Sequence, residues 1–208
     1  MMRTSQAHRS WTLVALALFT LSAWGCGGKT GARDADLHIQ SRANPQDIEA
    51  GGFDHGIYSL DGRSAMTVLL TDGPIENPDR ALIVRMFWRP RAAATPLDET
   101  ATNATVQYIV FNREAGADSA GGKVGIYSGG GFIYPENDIG SPRLQANLWQ
   151  ATLTLADNSE GFDDTLGASI LRGRFTAQRD DDGIIDAVRR VNIAVSEALG
   201  VPRFVSAE

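Results

Sequence analysis

The chain has 208 residues, of which 19 are basic and 25 acidic, and its formal net charge at pH 7 is −6. This acidic balance argues against nucleic acid as a partner, because phosphates require a basic surface. It also argues against electrostatic adhesion to anionic lipid. The chain has one cysteine, so it cannot form an internal disulfide, and a folded domain must depend on its apolar core.

The first 25 residues have the three parts of an export signal. The opening segment carries two arginines and no acid, and an apolar run of 13 residues extends from Trp11 to Ala23. As a helix this run is about 20 Å long, too short to cross a hydrocarbon core of roughly 30 Å. We therefore predict a removable signal peptide over residues 1–25 rather than a transmembrane anchor.

The residues before the cysteine carry a second signal. Ala23-Trp24-Gly25-Cys26 resembles the lipobox of bacterial lipoproteins, in which small or aliphatic residues precede an acylated cysteine. The resemblance implies a diacylglyceryl group and an amide-linked fatty acid, such as palmitate, on Cys26. It also implies an exported protein anchored to the cell membrane, or to the outer membrane if the host has two. Ala23 and Gly25 also satisfy the small-x-small rule of ordinary signal peptidase, which would cut the same bond.

Cleavage would divide the mature chain into a tether and one domain. The leader contains two of the 19 basic residues and none of the 25 acidic ones, so the mature chain has a net charge of −8. Residues 26–52 are mostly Gly, Ala, Asp, Arg, Ser, Asn and Pro, a composition that predicts a flexible tether. A short strand at Leu37–Gln40 would shorten this tether. Residues 53–208 are predicted to form a single globular domain, long enough to bury about 70% of its unfolded surface.

After the tether, the apolar residues mostly alternate, which predicts strands. Asp61-Gly62 stands between two apolar runs and predicts a hairpin. Ala81–Trp88 is apolar on both faces apart from Arg85, as in a strand that is covered on both sides. Thr105–Asn112 is the next predicted strand along the chain.

The second half of the domain continues the pattern. Ser128–Gly131 is interpreted as a Gly-rich hairpin between two short strands. The apolar residues of Leu144–Ala156 change phase, which predicts a β-bulge near Leu148–Gln150. Ser169–Gln178 alternates regularly and predicts a half-buried strand.

The chain ends in a predicted amphipathic helix at about residues 184–199. Its apolar residues recur at helical spacing: Ile184, Val188, Val191, Val195 and Leu199. Asp182 is the predicted N-cap and Gly200 the predicted stop. Seven or eight short strands without βαβ alternation predict a mainly β protein, an antiparallel β-sandwich with one C-terminal helix. A lipocalin-like, partly closed barrel that ends in a helix is the alternative.

Residues that could carry chemistry are few. The mature chain has two histidines, His38 and His55, and its cysteine is expected to be acylated. A zinc site needs three or four nitrogen, sulfur or oxygen ligands at close spacing, and a serine hydrolase of the α/β type needs a G-x-S-x-G turn. Because neither pattern is present, we predict no metal, no cofactor and no catalytic residue.

One segment has the composition of a ligand-binding surface. Its glycines would let a ligand approach the backbone, and its aromatic side chains could stack on sugars or peptides. The candidate ligand-binding residues are Tyr127, Gly129, Gly130, Phe132 and Tyr134. The simpler alternative is a hairpin whose aromatic side chains fill the core.

Three functions agree with this sequence. The first is a non-catalytic binding or structural module of the cell envelope, held at the membrane through Cys26, with an envelope protein or a glycan as its partner. The second is a small-ligand or glycan-binding module, which a cavity of about several hundred Å³ lined by Trp88, Trp149 or Tyr127 would favour. The third is a carboxylate-dependent hydrolase, which needs two acids in one cleft with at least one shielded from solvent.

Overall fold

A computed structural model of the protein describes residues 35–45, 48–62, 65–89, 102–112 and 122–202. The described residues form nine strands and one helix: β1 (Ala35–Ser41), β2 (Ile48–Phe53), β3 (His55–Asp61), β4 (Ala65–Asp72), β5 (Arg80–Met86), β6 (Ala104–Asn112), β7 (Lys123–Pro135), β8 (Arg143–Asn158), β9 (Ser169–Arg179) and α1 (Gly183–Leu199). The predicted signal peptide and Cys26 lie outside them. In this part of the chain, no helix has the length and apolarity needed to cross a membrane.

The nine strands form one sheet that closes partly on itself. Their order is β2-β1-β9-β3-β4-β5-β6-β7-β8, and β8 also pairs with β9. The sheet is antiparallel apart from a short parallel contact between β3 and β9, at Ile57–Tyr58 and Gln178–Arg179. The prediction of a mainly β, antiparallel domain with one C-terminal helix is confirmed. The predicted hairpin at Asp61-Gly62 is the β3–β4 connection.

Alternate side chains of the curved sheet point into an apolar interior. The largest of them are the fully buried Tyr58, Tyr108 and Tyr127. At one end, the Tyr58 hydroxyl donates a hydrogen bond to the Ile139 carbonyl oxygen at 3.0 Å, so the loop between β7 and β8 covers the interior there. At the other end, the loop of residues 159–168 inserts Phe162 and Leu166.

Helix α1 covers the outer face of the middle strands. Its buried side chains are Ile184, Ala187, Val188, Val191 and Val195. They pack on outward-facing residues such as Leu69, Ile83 and Ile109 in a second apolar cluster. β5 is therefore apolar on both faces because the interior lies on one side and α1 on the other, as its sequence predicts.

The helix begins where the sequence predicts, with Asp182 at the N-cap position, but the side chain that caps it is a different one. Asp182 makes no side-chain hydrogen bond at the helix start. Asp180 acts instead, because its Oδ1 accepts a hydrogen bond from the Gly183 N–H at 2.8 Å. Gly200 ends the helix in the left-handed conformation, as predicted.

The predicted tether is too long. β1 and all of β2 except its last residue lie inside residues 26–52, and β1 pairs with β2 on one side and with β9 on the other. Leu37 and Ile39 are fully buried in the interior cluster. Polar residues alternate with Leu37 and Ile39 in this segment, so its overall composition resembles that of a linker. In a strand, however, this alternation places every second side chain in the core. The folded domain therefore begins at or before Ala35.

Candidate functional site

The five predicted ligand-binding residues lie on one continuous strand. Residues 128–131 do not form a hairpin, because β7 runs unbroken from Lys123 to Pro135 and pairs with β6 and β8. The three consecutive glycines bring neighbouring strands close instead of turning the chain. A Cβ at Gly129 would lie 1.7 Å from the carbonyl oxygen of Thr152, and one at Gly131 would lie 2.5 Å from the Cβ of Ala151. The register of β7 and β8 shifts at this point, as at a β-bulge.

The alternation of β7 separates the predicted residues into two groups. Tyr127 points into the interior and is 1% exposed. Tyr134 is on the outer face, where it is 48% exposed. Phe132 shares the outer face with Tyr134, because residues two apart on a strand point the same way. The structure therefore contains two candidate surfaces, one at each end of β7.

The first surface is a cleft at the end of the interior that is covered by loop 159–168. Its volume is about 310 Å³, and it lies where β5 begins and β6 ends. The lining residues are Asp79, Arg80, Val110, Phe111, Asn112, Tyr127, Phe162, Asp163, Thr165 and Leu166. A volume of this size accommodates a small molecule.

Loop 159–168 is held over the cleft by contacts that depend on small and aromatic residues of β7. Phe162 packs on the bare backbone of Gly125, where an added Cβ would lie 2.1 Å from its ring. The Phe162 ring also meets the Tyr127 ring edge-on, with 6.4 Å between centroids. The Tyr127 hydroxyl donates a hydrogen bond to Asp164 Oδ1 at 2.6 Å, and the Gly167 N–H donates to the same oxygen at 2.8 Å. These contacts make Tyr127 both a wall of the cleft and the support of its loop.

The lining of the cleft contains more acidic than basic side chains. Arg80 donates from Nε to Asp72 Oδ2 at 3.0 Å, and its guanidinium carbon lies 5.9 Å from the centre of the Phe53 ring. This ion pair offsets the positive charge of Arg80. Asp79 and Asp163 add two carboxylates, and both residues are exposed. The lining of the cleft therefore contains two carboxylates and one guanidinium group.

The second surface is aromatic and lies at the opposite end of β5–β7. We call Trp88, Phe132, Tyr134 and Trp149 the aromatic surface. Phe132 is the direct cross-strand partner of Trp149, so their side chains lie on the same face. The Trp88 ring meets the Phe132 ring edge-on at 5.9 Å between centroids. Trp149 is 62% exposed, more than any other large apolar side chain among the described residues.

A backbone irregularity directs Trp149 outward. The predicted bulge is present, because the register of β8 against β9 shifts between Leu148 and Ala151. Gln150 has φ +45°, and within the described residues no other residue apart from glycine has a positive φ. Leu148 and Ala151 both point inward, so the bulge leaves Trp149 and Gln150 outside. A strained residue beside an exposed tryptophan is typical of a functional surface.

The groups with shifted pKa values lie away from both surfaces, where β9 meets β3. Burial raises the pKa of Tyr58, and the hydrogen bond from Arg179 lowers the pKa of Asp181. The same bond raises the pKa of Arg179. Since these residues join β9 to β3 and to the start of α1, their interactions are structural.

Sequence reasoning identified some of these residues and missed others. Composition selects Tyr127, Phe132 and Tyr134, whereas it makes no prediction of a functional site for the loop that contains Phe162 and Asp164. The sequence signal that could have identified this loop is the presence of two large apolar residues, Phe162 and Leu166, in an otherwise polar and acidic segment. Among the described residues, no group of three His, Cys, Asp or Glu side chains could hold a metal ion.

Comparison of the chain with models of protein families, with curated proteins and with solved structures finds no match. The geometry of the two surfaces and the leader sequence are therefore the basis for a functional proposal.

Proposed function

We propose that this protein is an exported lipoprotein, anchored to a membrane through Cys26, whose domain is a non-catalytic, small-ligand-binding module of the cell envelope. The observation that supports binding most directly is the cleft of about 310 Å³ beside Tyr127. A cleft of this volume is within the usual size range of small-ligand sites.

The lipid anchor is supported by the leader sequence and by the fact that Cys26 is the single cysteine of the chain. The apolar run ends three residues before Cys26, and no other cysteine follows in the chain. An exported free thiol is open to oxidation, whereas an acylated thiol is protected. Two or more acyl chains would hold the protein stably, since one chain binds a membrane only marginally.

The ligand that fits the cleft is a small amine. Asp163 supplies an exposed carboxylate on the rim, where Asp79 is a second acidic residue, and the Arg80 guanidinium is bonded to Asp72. The rings of Tyr127 and Phe162 supply an apolar wall for a short carbon chain. The cleft gives the hydrolase alternative no support, because both rim carboxylates are exposed and acid catalysis requires a shielded carboxyl group.

The anchor is tested by Cys26→Ser in a bacterial host supplied with labelled palmitate. We expect the native protein to incorporate the label and to sediment with membranes. The variant should lose the label and enter the soluble fraction, because no acyl acceptor remains. A variant that stays with membranes would contradict the anchor.

The cleft is tested by the melting temperature of the purified mature protein with spermidine or choline, and with glutamate for comparison. At about 100 times its dissociation constant, a bound amine should raise the melting temperature by about 5–10 °C. Thr165→Trp places a large ring in the cleft and should abolish this shift. Thr154→Trp, on an exposed position of β8 away from the cleft, is the matched control and should retain it. A shift that is equal in the two variants, or absent with every amine, would exclude the cleft as an amine site.

A further inference from the structure

We propose that the aromatic surface docks on the lipid bilayer that holds Cys26, so that the cleft faces away from the membrane. The inference rests on the proposed lipid anchor and extends it to the orientation of the domain. It is supported by the length of chain between the anchor and β1, by the place where β1 begins, and by the chemistry of the surface.

The chain between the anchor and the sheet is short. Eight residues separate Cys26 from Ala35, the first residue of β1. Even a fully extended chain spans no more than about 3.3–3.6 Å per residue, so nine steps cover at most about 30 Å. The start of β1 must therefore lie within about 30 Å of the acylated cysteine.

β1 begins beside the aromatic surface. One row of cross-strand partners runs from β1 to β7 and consists of Asp36, Arg174, Asn147 and Tyr134. Neighbouring strands are about 4.8 Å apart, so Asp36 and Tyr134 are separated by about 14 Å across the sheet. This distance is about half the reach of the connecting chain, so the aromatic surface can reach the bilayer without unfolding of β1.

The side chains of this surface suit the headgroup region of a bilayer. Tryptophan and tyrosine prefer the membrane–water interface, where the ring meets acyl chains and the polar edge remains hydrated. Trp149 and Tyr134 are both exposed, and Phe132, the cross-strand partner of Trp149, contacts the Trp88 ring.

Arginines flank the aromatic side chains. Arg143, Arg172 and Arg174 lie on the outer faces of β8 and β9, and all three are exposed. Arg174 pairs with Glu136 through Nε at 3.1 Å, and Arg143 donates to the Thr176 hydroxyl at 3.1 Å. Such side chains can reach lipid phosphates while their stems cover apolar surface. The net charge of −8 opposes general adhesion, so the aromatic side chains must provide most of the contact.

Because the domain is anchored, even a weak attraction between the aromatic surface and the lipid is enough to hold this orientation. A tether this short holds the domain at an effective concentration in the millimolar range, so a contact too weak to recruit a free protein is still populated. The cleft would then face away from the membrane. Tyr127 in the cleft is seven residues from Tyr134 on β7, a distance of about 23 Å along the strand.

Tryptophan fluorescence tests the orientation directly. Trp11 and Trp24 belong to the leader, so Trp88 and Trp149 are the tryptophans of the mature chain. The mature lipidated protein is reconstituted into phosphatidylcholine vesicles with and without brominated acyl chains. We expect emission to shift to the blue on reconstitution and to fall about twofold with the brominated lipid. Trp149→Phe should remove most of this quenching without reducing membrane partition.

Single cysteines supply the matched controls, since Cys26 is blocked by its lipid. A polarity-sensitive fluorophore is attached to Trp149→Cys, to Thr165→Cys at the cleft or to Ile193→Cys on the exposed face of α1. Only the probe at position 149 should be quenched by brominated lipid. Equal exposure of all three probes to water, or protection of position 149 by added peptidoglycan and not by lipid, would overturn the docking proposal.

The two proposals fail differently. If Cys26→Ser stays with membranes, the anchor is wrong, whatever the fluorescence shows. If the native protein is acylated and membrane-bound but position 149 is not quenched, the anchor stands and the orientation is wrong.

Discussion

Asn103 shows how much a single buried polar residue contributes to this fold. Its side chain is fully buried and bridges β7 to the end of β5. The Oδ1 atom accepts the Ile133 N–H at 2.7 Å, and Nδ2 donates to the carbonyl oxygens of Ile133 at 2.9 Å and Trp88 at 3.3 Å. In the sequence, Asn103-Ala104-Thr105 is merely a glycosylation-type tripeptide. The structure makes Asn103 a support of the strand that carries Phe132 and Tyr134.

Asn103→Ala should destabilise the protein strongly. The substitution leaves the buried N–H and carbonyl groups of Ile133 without these partners, at a cost of about 2–4 kcal/mol. For a chain of this size the melting temperature should fall by about 5–15 °C. Asn147→Ala, at a half-buried position on the outer face of β8, is the control and should change stability by no more than about 0.5 kcal/mol. Equal melting temperatures for the two variants would contradict the bridging role.

At the scale of elements, local patterns predict a strand well where its side chains alternate between the core and the solvent. The regular alternation of Ser169–Gln178 predicts the half-buried strand β9, whose Leu171, Phe175 and Ala177 enter the core, and the change of phase predicts the bulge in β8. The interpretation of residues 128–131 as a hairpin was wrong because consecutive glycines have two uses. They allow a turn, and they also allow two backbones to approach, and only the position of β8 distinguishes these uses.

The start of α1 gives a prediction at this scale. Asp180→Ala removes the acceptor of the Gly183 N–H and should lower stability by about 1 kcal/mol, or about 2–4 °C in melting temperature. Asp182→Ala removes a carboxylate of the same charge with no side-chain hydrogen bond at the helix start. It should therefore have little effect when both variants are measured in about 1 M salt, which screens the helix dipole. If Asp182→Ala lowers the melting temperature as much as Asp180→Ala or more, Asp182 is the residue that caps the helix.

For the whole molecule, the boundary of the domain sets the length of chain between the sheet and the proposed anchor at Cys26. Ala35, Leu37 and Ile39 are buried in the interior cluster, so β1 belongs to the core. The connection to Cys26 is correspondingly shorter than the composition of residues 26–52 predicts. If the proposed anchor and docking are correct, a domain held this closely presents a defined face to the bilayer, whereas a domain on a long tether would rotate freely.

Two soluble chains test this boundary. A chain that begins at Asp34 keeps β1 and should unfold cooperatively. A chain that begins at Phe53, the boundary predicted from composition, exposes the edge of β9 and leaves the space of three apolar side chains empty. It should be unfolded or aggregated, because each lost apolar side chain of the size of Leu or Ile costs about 2–5 kcal/mol. Circular dichroism and thermal melting report whether each chain is folded. Cooperative unfolding of the shorter chain would show that the residues before Phe53 are a tether and not part of the core.

The sequence by itself determined the properties that depend on near neighbours in the chain. These are the alternation of the strands, the bulge that directs Trp149 outward and the apolar stripe of α1, and the leader predicted before Cys26 rests on the same kind of local pattern. Only the tertiary structure decided that β1 joins the sheet and that loop 159–168 forms a cleft with Tyr127. It also separated the aromatic residues of β7 between an inner and an outer surface. β1 pairs with β9, more than 120 residues later, and pairing over such distances depends on long-range packing that local periodicity does not encode.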